Sequence, residues 1–245
     1  RALDKGTAEK LEAKFKSGEE FTLEDFLEQL QAMKKRGSMS KILSLLPGAN
    51  SAAMKKQIES IYHQSSLYLF LAGGWLFLMI NANVDALYTF LPDGYGEGKW
   101  VVFIISLGTL FNMATGLNAP ILFNSDKYRY GAFFLIVLAV LVLVLQMTFI
   151  PRFGLSGAAW ATALASITYN ILLMISVWRF FGLQPFDRRN LKVLVIFALT
   201  YMLTFLLPEV DNAYLSILIH SILLSIVYAA GIKAWKVVPE LEAEL

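Results

Sequence analysis

Residues 131–150 read GAFFLIVLAVLVLVLQMTFI, twenty positions without an Asp, Glu, Lys or Arg. A helix needs about 20 apolar residues to cross a ~30 Å hydrocarbon core. A soluble helix would carry a polar stripe along one face, and this stretch has none. Five further stretches share the pattern: 63–83, 100–119, 155–178, 192–208 and 213–232. None has a charged residue in its interior. Period-two alternation, the mark of a β-barrel strand, is absent. The fold class expected is all-α: a polytopic membrane helix bundle of six transmembrane helices with a short soluble N-terminal helical segment.

Composition agrees and adds a boundary. The chain is 57% hydrophobic and 16% charged, with a mean hydropathy of +0.57. Soluble domains run nearer a quarter charged. The charge is unevenly spread: 20 of residues 1–59 are charged against 20 of the remaining 186. Two domains follow, 1–59 as a soluble helical segment and 60–245 as the membrane domain. The net charge of +2 gives no basic surface for nucleic acid, so no nucleic-acid partner is expected. Zero cysteines exclude disulfides, thiolate metal sites and cysteine nucleophiles. The polar N-terminus does not read as a cleavable signal peptide, and a start at Arg1 reads as a fragment.

The connecting loops fix an orientation. With the N-terminus cytoplasmic, that side holds Lys127, Arg129, Arg179, Arg188, Arg189, Lys192, Lys233 and Lys236. The opposite side holds Lys99 and Arg152. Eight against two satisfies the positive-inside rule and places both termini in the cytoplasm. Trp100, Tyr128, Tyr130, Trp178 and Trp235 fall near span ends, where interfacial aromatics belong. Pro120, Pro151 and Pro208 end spans, and Gly73-Gly74 is the place where the first could bend.

The fourth span carries small residues in two rows. Gly154, Ala158, Thr162 and Ser166 form one; Gly157, Ala161 and Ala165 form the other. Small residues four apart let helix backbones approach closely in lipid, so Gly154, Gly157, Ala158, Ala161 and Ala165 are helix-packing candidates. Polar residues inside spans are the candidates for chemistry: Asn112, Asn118, Gln146, Asn170 and His220, with Asn81 beside them. A buried amide in lipid must find a partner, either on another helix or in a water-filled cavity. His220 is ionisable at membrane depth, with no carboxylate inside a span to pair with it. No paired carboxylates, HExxH, GxSxG or phosphate loop is present, so no enzyme, metal site or cofactor is expected.

Several landmarks then follow in order: YHQSSLYLFLAGG, LPDGYGEGKWVV, FNMATGLNAPILFNSDKYRYG, FIPRFGLSGAAWATALASITYN and WRFFGLQPF. Together, over residues 61–238, they resemble the C-terminal half of bacterial oligosaccharide and polysaccharide flippases. These belong to the multidrug/oligosaccharidyl-lipid/polysaccharide exporter superfamily. The resemblance implies two lobes and alternating access for a lipid-linked oligosaccharide, in the bacterial inner membrane. The six helices would be the last six of a fourteen-helix member. Asn112, Asn118 and Asn170 would face the central cavity. The partners implied are the lipid bilayer, the lipid-linked oligosaccharide and the missing N-terminal transporter half. Cationic residues for a diphosphate head group would belong to that half.

The N-terminal segment reads differently. Thr22 starts a helix with Asp25 three residues on, and Leu23, Phe26, Leu27, Leu30 and Met33 line one face. Lys34, Lys35 and Arg36 suit its C-terminal end before Gly37. FTLEDFLEQLQAMKKRGSMSKILSLLPG resembles the start of the methionine-rich domain of the signal recognition particle GTPase. GTAEKLEAKFKSGEE before it resembles the interdomain linker. The match covers about residues 1–48. It implies a signal-peptide groove with Phe26, Leu27, Leu30, Met33 and Met39, where methionine repacks around varied apolar ligands. The join between the two resemblances falls near 49–60. The alternatives to a partial transporter are a signal-sequence-binding fragment tethered to the membrane, or a chimeric gene product without independent function.

Overall fold

The computed structural model describes residues 51–92, 98–208 and 210–238. The chain divides into two units at Asn50–Ser51, and the described residues belong to the second. The helix expected from Thr22 and the groove candidates Phe26, Leu27, Leu30, Met33 and Met39 lie outside the described residues. The expected boundary at 59/60 falls within a helix that begins at Ser51.

The described residues are helical, with no strand among them. In chain order they form α1 (Ser51–Ala82), α2 (Val84–Tyr88), α3 (Lys99–Ala114) and α4 (Asn118–Phe123). Then come α5 (Tyr128–Phe181), α6 (Arg188–Leu203, continued by a 3-10 turn Thr204–Leu206) and α7 (Ala213–Ala234).

Four of these helices are long and apolar enough to cross a membrane: Lys55–Ala82 within α1, α5, α6 with its 3-10 turn, and α7. The sequence predicts six spans, and two findings account for the difference. The second predicted span, 100–119, is interrupted. α3 stops at Ala114 after 16 residues, a rise of ~24 Å. Gly116, at φ 65°, then separates it from α4. The third and fourth predicted spans are joined in α5, which is 54 residues long.

Helix α5 is not a straight rod. Gly154 has φ 57° and ψ −133°, a conformation open only to glycine. Pro151 just before it removes a helical hydrogen bond. Along a straight helix Tyr130 and Phe180 would be ~75 Å apart. Their ring centroids are 4.8 Å apart, and the Lys127 ammonium stands 5.5 Å from the Phe180 ring. The helix therefore folds back as a hairpin of two arms, 128–153 and 155–181. At the tip, a β-carbon on Gly157 would collide with the Phe149 carbonyl oxygen. Only glycine allows the turn to close this tightly.

The small rows of the fourth predicted span divide unequally. Gly157, Ala161 and Ala165 are buried, while Thr162 is exposed and Ala158 and Ser166 are half-buried. Gly154 packs on nothing, since the space around it is open, and it acts as the hinge instead. A third row absent from the sequence reading, Ala159 and Ala163, is buried with Ile104 of α3. A β-carbon on Gly108 would come within 3.1 Å of Ala163, which measures how close these two helices lie.

The largest core joins four helices. It holds Leu67, Phe70, Phe77 and Leu78 of α1, Leu110 and Ala114 of α3, Val193 and Ile196 of α6, and Tyr228 of α7. Phe77 meets Phe103, Phe197 and Tyr201 edge-on, at centroid distances of 5.6, 5.2 and 5.7 Å. Helix α1 is continuous through Gly73-Gly74. Both serve close packing: added β-carbons would press on Met113 and on the Tyr228 hydroxyl.

Candidate functional site

A polar seam runs through the end of the bundle where α1, α3, α4, α5 and α6 converge. It starts at the N-terminus of α6, where Asp187 caps the helix. Its Oδ1 accepts from the backbone N–H of Arg189 at 2.6 Å and of Asn190 at 3.3 Å. Asn190 Oδ1 accepts from the Asp187 N–H at 3.1 Å, which completes a capping box. Arg189 Nε donates to Asp187 Oδ2 at 2.8 Å. Burial on its own would raise the Asp187 pKa. The hydrogen bonds and charge of Arg189, with the Asn190 N–H, outweigh it and hold the carboxyl below its usual value.

From the cap the seam enters the bundle. Asn190 Nδ2 donates to Ser66 Oγ at 3.1 Å, and Ser66 donates to the Ala114 carbonyl at 2.6 Å. That carbonyl is at the open C-terminal end of α3, where a helix needs a donor from outside. Thr115 Oγ1 lies between the Asn112 carbonyl at 2.8 Å and Asn170 Oδ1 at 3.2 Å. Asn170 Nδ2 donates to the Ser166 carbonyl at 2.9 Å. The Tyr62 hydroxyl donates to Asn118 Oδ1. Ser66, Thr115, Asn118, Asn170 and Asn190 are all buried. In a low-dielectric interior such groups are costly unless paired, so the seam fixes which helices meet and in what register.

The sequence-predicted cavity residues divide among different places. Asn118 and Asn170 enter the seam as helix-to-helix contacts. Asn112 is exposed, with only its carbonyl engaged. It sits two residues, about 200° of rotation, from the buried positions Leu110 and Ala114. Gln146 is half-buried on the first arm of α5.

His220 lies toward the opposite end of the bundle and lines a cavity of about 470 Å³. Its Nε2 is 3.1 Å from the Pro208 carbonyl, and its Nδ1 is 3.5 Å from Ser216 Oγ. Asp85 and Asp211 line the same cavity, so carboxylates outside the spans reach the histidine's surroundings. Asp85 also pairs with Lys99.

The sequence reading missed Tyr62, Ser66, Thr115, Asp187 and Asn190. A signal for the last two was present. Asp187-Arg-Arg-Asn190 before an apolar run has the spacing of a capping box, with Asn in place of the usual Glu or Gln.

A second cavity, of about 580 Å³, borders the seam. Phe70, Leu107, Phe111, Ile167, Leu194 and Phe197 form its apolar walls, and Asp187 and Asn190 stand at one end.

Known proteins relate to one part of this chain. The signal peptide binding domain family matches residues 1–68, past the end of the predicted resemblance at 48 and into α1. A signal recognition particle protein of Haemophilus influenzae is 48% identical over 61 residues, which cover 24% of this chain and 13% of that protein. Its counterpart in Escherichia coli K12 is 50% identical over 46 residues, covering 19% and 10%. That of Rickettsia felis is 39% identical over 74 residues, covering 27% and 16%. The chain thus spans a sixth or less of the length of these relatives. No solved structure matches. Residues 1–68 are a fragment related to the signal peptide binding domain of signal recognition particle proteins.

Proposed function

We propose that this chain is a signal-sequence-binding segment tethered to a bilayer by a bundle of membrane-spanning helices. One observation carries the reading. The match to the signal peptide binding domain ends at residue 68, within a helix that continues to Ala82 and is long and apolar enough to enter a membrane. Binding segment and anchor share α1. The test is photo-crosslinking of a signal peptide to residues 21–48 of the full chain. A crosslink above that of a scrambled peptide is expected, and equal labelling removes the reading.

A second reading concerns the bundle: a partial transporter of polysaccharide-flippase type, in a bacterial inner membrane with both termini cytoplasmic. Three of its landmark stretches supply five of the seam residues, Tyr62 and Ser66 from the first, Thr115 and Asn118 from another, and Asn170 from a third; Asp187 and Asn190 lie just after the last landmark. The fold-back at Gly154 makes two membrane-length arms from α5 and so raises the four candidate crossings to five; the shorter α3 would have to supply the sixth. Alternating access in this family takes two lobes. The chain alone should therefore move no lipid-linked oligosaccharide in proteoliposomes, and co-expression with an N-terminal lobe of a family member should restore movement. Absence of restoration leaves the bundle as an anchor, in a targeting fragment or in a chimeric product with no transport role.

A further inference from the structure

The first arm of α5 is secured to the bundle mainly at its ends. Gly131 is the one buried residue of 128–153. Phe134, Leu138, Leu141, Leu145 and Phe149 recur at helical spacing and are only half-buried. Large side chains keep helix backbones apart, and in lipid they lose little by leaving protein, because a lipid tail is as apolar as a leucine. The Gln146 side chain, beside that stripe, makes no hydrogen bond among the described residues. The specific contacts are at the start of the arm. Lys127 stands 5.5 Å from the Phe180 ring, Tyr130 meets the same ring at 4.8 Å, and a β-carbon on Gly131 would lie 3.0 Å from the Phe123 ring. At the other end Gly154 sits at φ 57° with nothing within 4 Å of a β-carbon built on it, so no packing resists a change of its torsions.

We propose that arm 128–153 is a gate, hinged at Gly154 and latched to Phe123 and Phe180 by Lys127, Tyr130 and Gly131. Released from the latch, the arm swings sideways and uncovers the face of arm 155–181 behind it. Hinges are a few residues that absorb the torsion change, and glycine has the widest choice of torsions. Phe133 lies ~32 Å along the arm from the hinge and Thr148 ~9 Å, so a swing moves the latch end about three to four times as far as the hinge end. The proposal rests on the bundle being membrane-embedded.

The experiment reconstitutes the full chain in phosphatidylcholine bilayers and measures distances between pairs of spin labels. One pair, Phe133→Cys with Trp178→Cys, is exposed near the latch; the other, Thr148→Cys with Trp160→Cys, is exposed near the hinge. The latch pair should give a main short distance and a minor longer one. Tyr130→Ala should raise the longer population about fivefold, the worth of one aromatic pair. Lys127→Ala should raise it about threefold, the worth of an exposed cation–π contact. The hinge pair should stay short throughout. Equal lengthening of both pairs would mean that the arm detaches as a whole, and overturns the proposal. A chain that carbonate washes out of the bilayer overturns both the proposal and the membrane reading. An integrated chain whose latch pair keeps one fixed distance in all three backgrounds overturns the proposal alone.

Discussion

The two arms of α5 are both apolar, membrane-length helices, yet they do opposite things. On arm 128–153 the large side chains face outward: Ile136 is 63% exposed and Met147 78%. On arm 155–181 Ala161, Ala165 and Val177 are fully buried. Hydropathy does not separate the two environments, because a lipid tail is as apolar as a leucine. Side-chain size does, since small residues allow backbones to approach and gain van der Waals contact. In this bundle apolarity marks the helices able to cross a membrane, and side-chain size marks which of their faces touch protein.

The strongest way to break that contrast is at the tip of the hairpin. Gly157→Val puts a branched side chain against the Phe149 carbonyl, and backbone cannot yield as a flexible side chain can. The hairpin should open. Spin labels on cysteines introduced at Tyr130 and Phe180 should read a short distance in the parent, against as much as ~75 Å in an opened, straight helix. The natural chain has no cysteine, so no background label interferes. A short distance in the valine variant would mean that Gly157 is not what lets the arms meet.

Leu173→Ala tests burial on the second arm. Leu173 packs with Tyr62, Leu122, Val177 and Leu183. Truncating a buried leucine should cost about 2–5 kcal/mol, read as the unfolding free energy in detergent. Ala161→Leu tests the same arm by overfilling, with an expected cost of about 1–3 kcal/mol. A cost near zero for either would mean that the second arm is as loosely surrounded as the first.

These residues also show what the sequence could and could not reveal. The apolar runs located every long helix among the described residues, because period and length survive without knowledge of partners. The last two predicted spans, 192–208 and 213–232, nearly coincide with Arg188–Leu206 and Ala213–Ala234. Small-residue spacing revealed a packing helix, but not which of its faces was used. The row with Gly154 and Thr162 is open, and the row with Ala161 is closed. The seam was hidden for another reason. Ser66 and Asn190 are 124 positions apart, and each looks unremarkable alone. Attention to polar residues inside spans found Asn118 and Asn170, but passed over Asn190 near a span edge and Asp187 in a loop. The reversal within α5 was legible, because one predicted span ends at 150 and the next starts at 155 with Arg152 in the loop between them, and the Tyr130–Phe180 contact shows the two arms folded back on each other.

The seam gives a smaller prediction with a pH signature. Asp187→Asn keeps a capping oxygen and loses the charge that holds Arg189, and the cap as a whole is worth about 1 kcal/mol. The carboxyl pKa is lowered in the folded state, so its contribution is complete above the unfolded value near ~3.9. It is lost as pH falls through the lowered folded value. Wild type should therefore exceed Asp187→Asn by a constant margin at neutral pH, and the two should converge in acid. Parallel stability curves down to low pH would show that Asp187 is not held ionised by its neighbours.

The smallest effect should come from the arm that looks most hydrophobic. Leu143→Ala removes the same atoms as Leu173→Ala, but Leu143 is exposed on the first arm. In detergent or lipid the lost side chain had solvent rather than protein as its neighbour, so no cavity forms and no packing is given up. The expected change is within about 0.5 kcal/mol, the range of surface substitutions away from special features. Membrane insertion should persist too, because the flanking residues 131–150 still supply nearly the whole apolar length. A cost comparable to that at Leu173 would mean that arm 128–153 is covered by protein in the membrane, by a second copy of the chain or by another helical lobe. The same pair of leucines thus distinguishes a lipid-facing arm from an interface awaiting its partner.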